Sequence, residues 1–314
     1  MTLNIDITKE LKAVEKLIKS DINKEKTILG LYNYIFKSNG KKIRSRLNLI
    51  ASSSSENSDR YKLASIIELL HTATLVHDDV VDNASTRRGA MSVNSLWSNA
   101  HGVLIGDYIY SKAFMLMVEI GKKDILAELA DATNDISQGE LIQLDAVSNI
   151  KISLNKLKKI SYFKTGRLFE ASAKTGAMLA GANKNFIKNI SESAKNIGIL
   201  FQIKDDLLDY SNSSKTGKQS FQDLKEGKVT YPFFFALKNS SQKEKKQLMS
   251  FLGNQRLNEK KAISLISKLN GLTKTQQLAE KFYTSSINAA KTINNQFIRQ
   301  EMIELANIAL NREK

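Results

Sequence analysis

Two short acidic patterns are the part of this sequence best equipped for chemistry. One closes the run His71-Thr-Ala-Thr-Leu-Val-His77-Asp78-Asp79-Val-Val-Asp82, the other the run Ile199-Leu-Phe201-Gln202-Ile-Lys204-Asp205-Asp206-Leu-Leu-Asp209-Tyr210. Each reads D-D-x-x-D at the end of an apolar helical stretch. On a helix, Asp78 and Asp82 are one turn apart and project from the same face. Like charges at that spacing cost a helix roughly 0.2–0.5 kcal/mol per pair, so local stability does not explain them. One such motif reads most simply as a solvated helix end or an N-cap cluster; two copies reverse that preference. Aspartates clustered without cysteine are hard oxygen donors suited to Mg²⁺, which takes one or two carboxylates and completes its shell with waters and substrate phosphates. A magnesium-diphosphate site is the first expectation.

Positive groups accompany the acidic ends. Arg87 and Arg88 follow the first motif in a segment read as irregular. Guanidinium groups grip phosphate in a planar, often bidentate manner, so adjacent arginines beside a metal cluster suit a two-substrate clamp. Upstream, a helical run from about Lys26 to Lys37 ends at Ser38-Asn39-Gly40, where Gly40 or Asn39 can take the left-handed conformation that stops a helix. The basic cluster Lys41-Lys42-Ile-Arg44-Ser-Arg46 follows; alone, it merely answers the helix dipole. His71 lies on the stripe of Asp78 and Asp82 and faces the carboxylate end, whereas His77 reads as structural.

On these residues the chain resembles the trans-prenyltransferases, the all-trans polyprenyl diphosphate synthases that elongate an allylic diphosphate with isopentenyl diphosphate. The resemblance runs from about Asn39 to Pro232, and the paired aspartate motifs with Arg-Arg-Gly after the first are its most specific part. It implies an all-α fold, a single large helical bundle around a central cavity of the isoprenoid synthase type, with 1–314 as one domain. Lys41 and Arg44 take the places of the Lys and second Arg of the family's G-G-K-R-x-R-P motif, which bind the diphosphate of isopentenyl diphosphate. Asn39 replaces the first Gly of that motif, Lys42 the first Arg and Ser45 the Pro. The likeness assigns His71 and Arg88 to isopentenyl diphosphate and Arg87 to the allylic diphosphate. Lys164 and Thr165 match a K-T pair that reaches the allylic diphosphate, Gln202 matches the substrate-side glutamine before the second motif, and Gln138-Gly139-Glu140 resembles a helix lining the same cavity. Ser211 to Gly227 reads as a long polar loop, in the family a lid whose lysines, here Lys218 and Lys228, approach the allylic diphosphate. The sequence departs at Phe221 and Gln222, where Gly-Lys is common, which bears on lid geometry and one lysine contact.

The implied reaction ionises an allylic diphosphate and lets the double bond of isopentenyl diphosphate attack the cation. Asp78, Asp82, Asp205 and Asp209 are the expected Mg²⁺ ligands, with Lys164 adding to stabilisation of the leaving diphosphate. In the family, bulky aromatics four or five residues before the first Asp cut elongation short. Here those positions are Thr74 and Ala73. Small side chains predict a long product around octaprenyl, of the kind used for quinone tails, built on farnesyl diphosphate. The rivals are a short-chain synthase making geranylgeranyl or farnesyl diphosphate, and a non-catalytic subunit of a heteromeric synthase. Such subunits typically lose the aspartates or the basic clamp, and this chain has both.

The remaining composition sets bounds. With 314 residues, 42% of them hydrophobic, there is material for one large helical core. Cysteine is absent, which excludes disulfides, thiolate metal sites and cysteine nucleophiles. The start shows no apolar signal core and no apolar run approaches the ~20 residues of a membrane span, so a cytoplasmic enzyme is expected. The net charge of +15 invites a nucleic-acid reading, but no recognition signature stands out and the lysines are scattered. A basic surface meeting anionic substrates or a negatively charged membrane face is the milder expectation, and the likeness implies a homodimer. Helices are expected over residues 3–22, Val103 to Ile120, Thr133 to Leu144, Leu154 to Ala182 and about Phe186 to Tyr210, with later breaks near Asn239, Gly253 and Asn270.

Overall fold

The computed structural model describes residues 6–20, 22–37, 40–211 and 221–312. Helix dominates them: α1 (Ile7–Ile18), α2 (Lys26–Ile35), α3 (Ile43–Ala51), α4 (Asp59–Val81), α5 (Val93–Leu96), α6 (Asn99–Ile120), α7 (Lys123–Leu144), α8 (Leu154–Ser161), α9 (Arg167–Leu179) and α10 (Lys184–Asp209). Further helices span Gln222–Lys225, Tyr231–Lys238, Gln242–Met249, Glu259–Lys268, Gly271–Lys291 and Gln296–Leu310. Among the described residues the only sheet is a hairpin, β1 (Thr86–Arg87) antiparallel to β2 (Ala90–Met91). The class is all-α, as the sequence implied.

Local chemistry marks many of the ends. Asp6 accepts from the N–H groups of Thr8 and Lys9 and starts α1; Ser98 and Ser153 cap α6 and α8 in the same way. Gly121 (φ +68°) ends α6, and Pro232 sits in the first turn of Tyr231–Lys238, where its missing N–H costs nothing. Several boundaries differ from the sequence reading. α2 stops at Phe36, and the left-handed residue is Lys42 (φ +47°) at the entry to α3, not Gly40; Asn39 lies outside the described residues. The segment after Asp82 pairs as a hairpin instead of staying irregular, α7 begins at Lys123 instead of Thr133, and the Leu154–Ala182 run contains a π-helical turn, Tyr162–Gly166. Ser211 to Gly227 is not wholly loop, since Gln222–Lys225 is helical.

Contacts gather into two compact units, Met1–Thr133 with Ala171–Ile190, and Asn134–Glu170 with Ser191–Lys314; the boundaries fall inside α7, α9 and α10. In the first unit α4 is the core. Its body is buried on every side, with Leu63, Ile66, Ile67, Leu69 and Leu70 fully enclosed. Burying each such side chain is worth roughly 1.5–3 kcal/mol, which outweighs the repulsion of the carboxylates at the helix's end. α6 is its main partner and approaches closely because Gly102 and Gly106 lack side chains. A Cβ on Gly102 would lie 2.6 Å from Val80, and one on Gly106 would strike the His77 ring. His77 also has Nε2 3.1 Å from the Val103 carbonyl and 3.3 Å from Asp107, so its place is structural. Gly176 packs α9 on α3, where Asn48 donates to the Ser172 carbonyl at 2.8 Å.

In the second unit the π-helical turn is gripped from two elements. A Cβ on Gly198 of α10 would lie 2.6 Å from the Cα of Gly166, and one on Gly139 of α7 would lie 2.7 Å from Phe163. Ser193 and Ser286 exchange hydrogen bonds of 3.1 Å, fixing α10 to Gly271–Lys291. Among the described residues no helix is long and apolar enough to cross a membrane.

Candidate active site

The three aspartates of the first motif have different surroundings. Asp78 and the C-cap Asp82 are half-buried, but Asp79 is only 5% exposed. Its Oδ1 accepts from Arg87 Nε at 2.8 Å and Arg87 NH2 at 2.5 Å. Burial raises the Asp79 carboxyl pKa, and the hydrogen bond and charge of Arg87 oppose that rise. The hairpin splits the arginine pair. Arg87, on β1, folds back to Asp79, while Arg88 (φ +53°) and Gly89 (φ +80°) form the left-handed two-residue turn that such hairpins use. A left-handed arginine costs roughly 1–2 kcal/mol, and strain of that kind gathers at functional sites. A Cβ on Gly40 would sit 2.7 Å from Arg88 NH1, so the bare glycine gives the guanidinium its room.

Behind this clamp, Arg44 NH1 lies 3.0 Å from His71 Nε2. Arginine can only donate, so Nε2 accepts and the ring proton is on Nδ1. Burial, then the charges of Arg44, Arg88 and Arg87, hold the His71 pKa well below its ordinary value, leaving a neutral imidazole with one N–H to offer. Buried Glu68 accepts from Ser45 at 3.1 Å, and Lys42 pairs with Glu15. Lys42, Glu68, Thr72, Asp79, Arg87 and Arg88 are among the walls of a cavity of about 90 Å³; His71, Arg44 and Asp78 are not. Lys41 is exposed, Ala73 is fully buried, and Thr74 donates to the His71 carbonyl at 2.7 Å.

At the second motif, Asp206 is buried and bound to neutral donors: Oδ1 accepts from Gln202 at 3.0 Å and Oδ2 from the Tyr231 N–H at 3.3 Å. Gln202 in turn accepts from Thr165 at 2.7 Å, so a continuous chain links the π-helical turn to α10. A π-helical turn is a common device for displacing functional side chains from helical register. Lys164, its other expected contributor, donates to Glu140 at 3.0 Å. Asp209 Oδ1 accepts from the Gln222 N–H at 2.9 Å, while Oδ2 has no hydrogen-bond partner among the described residues. Burial, and then the nearby charge of Asp223, push the Asp209 carboxyl up to about 8. Phe221, at the position where the family departs from this sequence, is left-handed and buried edge-on against Tyr210, ring centroids 5.3 Å apart. Lys228 pairs with Glu226 at 2.7 Å, and Lys218 lies outside the described residues.

These donors fit Mg²⁺. A buried carboxylate oxygen with no protein donor, beside a second acid, is in the setting a divalent cation relieves. Among the described residues no three acidic or imidazole groups form a ready-made cage. Mg²⁺ seldom uses one, since waters and phosphate oxygens fill most of its shell.

Sequence reasoning passed over two participants. Asp223 lies close to the second motif, where burial and its charge together push Asp206 well above the usual carboxylate range. Arg312, from a stretch with no chemical signature, has NH1 2.6 Å from Asp205 Oδ1 and its guanidinium carbon 3.9 Å from the Phe201 ring centroid. The acidic spacing of Asp223 and Glu226 was visible in the sequence; nothing there pointed to Arg312.

Comparison with known proteins agrees with this chemistry. The pattern of the polyprenyl synthetase family matches residues 25–269. The octaprenyl diphosphate synthase of Escherichia coli is 32% identical over 99% of this chain and 100% of its own length. The crystal structure of a decaprenyl diphosphate synthase from Rhodobacter capsulatus superposes with a TM-score of 0.92 at 29% identity, covering 98% of this chain and 97% of that one. A polyprenyl synthase from Caulobacter crescentus, crystallised with calcium and isoprenyl diphosphate, gives a TM-score of 0.90 at 30% identity, covering 98% and 95%. The chain therefore belongs to the polyprenyl synthetase family, as a prenyltransferase of the long-chain polyprenyl diphosphate synthase class.

Proposed function

We propose that this prenyltransferase condenses an allylic diphosphate, farnesyl diphosphate as primer, with several molecules of isopentenyl diphosphate to a product around octaprenyl for quinone side chains. The observation that carries the reading is the pair of helices, α4 and α10, each ending in D-D-x-x-D with its middle carboxylate buried and engaged by protein donors, next to arginines on one motif and Lys164 and Thr165 on the other. The family match crosses both compact units, which supports their acting as one synthase domain.

Asp78, Asp82, Asp205 and Asp209 would hold Mg²⁺, which when bound neutralises charge on the departing diphosphate. Arg87, aimed by Asp79, and Lys164, braced by Glu140, present fixed positive charge to that diphosphate. Lys228 and Lys218 add charge from the segment after α10. Arg44, Arg88 and Lys41 take the diphosphate of isopentenyl diphosphate, and neutral His71 contributes an N–H instead of a charge. Thr165 and Gln202 hold the turn that carries Lys164 in register with the second motif. The cation formed must be kept from water, and the buried apolar faces of the helices serve that end. Ala73 and Thr74 leave room for a growing chain.

A homodimer is supported by the outer face of α6, where Leu104, Met115 and Val118 are 67%, 67% and 70% exposed. A cytoplasmic enzyme with a basic surface would meet its membrane-bound product peripherally, and salt-dependent sedimentation with anionic vesicles tests that contact. The deciding experiment incubates the purified chain with farnesyl diphosphate, isopentenyl diphosphate and Mg²⁺ and chromatographs the products. Long prenyl diphosphates are expected. Short products would assign it to the short-chain class, and none would make it a partner subunit. Ala73→Phe should shorten the product; an unchanged length profile removes the chain-length assignment.

A further inference from the structure

The second motif already holds a cation of the protein's own. Just beyond Gln296–Leu310, Arg312 places NH1 2.6 Å from Asp205 Oδ1 and its guanidinium carbon 3.9 Å from the Phe201 ring centroid. Phe201 and Asp205 are one turn apart on α10, so the helix offers an aromatic face and a carboxylate side by side. A planar guanidinium is suited to both at once, stacking on one and facing the other as an ion pair, although NH1 is not aligned to donate a hydrogen bond to it. The arginine side chain is 13% exposed and that of Asp205 34%, so the pair is shielded on the arginine side and open at the carboxylate. The geometry therefore puts a positive charge on one of the carboxylates expected to ligate Mg²⁺. A guanidinium and a metal ion that pair with the same carboxylate compete for its negative charge.

We propose that Arg312 is a positioning residue that holds Asp205 while no cation is bound and yields it as Mg²⁺ and diphosphate arrive, so that Arg312 sets the Mg²⁺ concentration at which the second motif fills. This rests on the proposed function, in which Asp205 is a metal ligand. Phe201 is the other half of the device, because the ring keeps the guanidinium at its post through a contact that Mg²⁺ does not contest.

The test is calorimetric binding of farnesyl thiodiphosphate, a poorly ionising analogue, to the full chain at graded Mg²⁺ concentrations. Arg312→Gln should lower the half-saturating Mg²⁺ by about threefold, the size expected of a partly exposed ion pair. Arg312→Lys, which keeps the charge but loses the planar fork, and Phe201→Leu, which removes the stack, should each lower it by less. These milder variants keep the test available should Arg312→Gln fold poorly. In an Asp205→Asn background the effect of Arg312→Gln should vanish. An unchanged or higher Mg²⁺ requirement in the Arg312 variants, or a decrease that persists without Asp205, overturns the proposal while leaving the enzyme assignment standing. Absence of Mg²⁺-dependent binding in the wild-type chain overturns both.

Discussion

The ends of α4 and α10 carry the same five-residue pattern in opposite electrostatic settings. Asp79 is held by a cation, Arg87, and the hairpin that supplies it also supplies Arg88. Asp206 is held by an amide and a backbone N–H, with Asp223 close by. The first motif thus comes with its positive charge built in, whereas the second is acid-rich, leaves an oxygen of Asp209 without a donor, and borrows Arg312 from a distant part of the chain. Identical spacing yields one motif whose middle carboxylate is neutralised by arginine and another that is left acid-rich. The spacing itself follows from helix periodicity, and the difference follows from what packs around each end.

The largest expected effect treats the motifs alike. Asp78→Ala and Asp205→Ala should each reduce the rate of product formation by on the order of 10²–10³-fold, the scale seen when one preorganised charge-stabilising group is lost. A residual rate near wild type in either would break the symmetry of metal binding. Next come the glycines that seat the two helices. Gly198→Ala sets a methyl against backbone at Gly166, whereas the three atoms nearest a methyl in Gly106→Ala belong to the His77 side chain, which can move by giving up its contact with the Val103 carbonyl. Overpacking costs about 1–3 kcal/mol, so denaturant titration should place Gly198→Ala at the upper end and Gly106→Ala at the lower. Equal losses would mean that His77 is as rigid as backbone.

Middle aspartates give a finer contrast. Asp79→Asn removes a charge-assisted pair worth about 1.5–3 kcal/mol and releases Arg87, so it should lower the melting temperature and raise KM for the allylic substrate. Asp206→Asn keeps one accepting oxygen, sets an NH2 against the other donor and releases no charged partner, so it should cost less in both measurements. The reverse ranking would mean that Asp206 is the more heavily charged of the two.

The smallest effect concerns pH. His71 titrates well below its ordinary value of about 6.5, so in the acidic range beneath that value the unfolded chain binds a proton that the folded chain refuses. The stabilisation is complete above about 6.5 and is lost as pH falls below it, at no more than about 1.4 kcal/mol per pH unit. His71→Gln should flatten the acid limb of melting temperature against pH. Parallel acid limbs in variant and wild type would show that the imidazole is not held neutral.

Much of this protein could be read before any fold was known. The all-α class followed from helical spacing and from the resemblance carried by the aspartate motifs, and the ends at Ile120 and Leu144 and the start at Leu154 fell where they were expected, although α6 begins at Asn99 instead of Val103. Where local signals were ambiguous the reading slipped. Gly40 looked like a helix stop but is the space under Arg88, and Lys42 takes the left-handed turn instead. The π-helical turn at Tyr162–Gly166 has the composition of ordinary helix, and only Gly198 and Gly139 pressing on it from other elements distinguish it.

What the sequence alone determined is therefore the periodic part: that most of the chain is helix, and that Asp78 with Asp82, and Asp205 with Asp209, share a helix face, because a backbone repeat of 3.6 residues puts them one turn apart. Tertiary structure alone decided which partner each carboxylate keeps: Arg87 for Asp79, Tyr231 for Asp206, Arg312 for Asp205. Ion pairs and buried hydrogen bonds act through space over a few ångströms, so the chain distance between their members carries no trace of them.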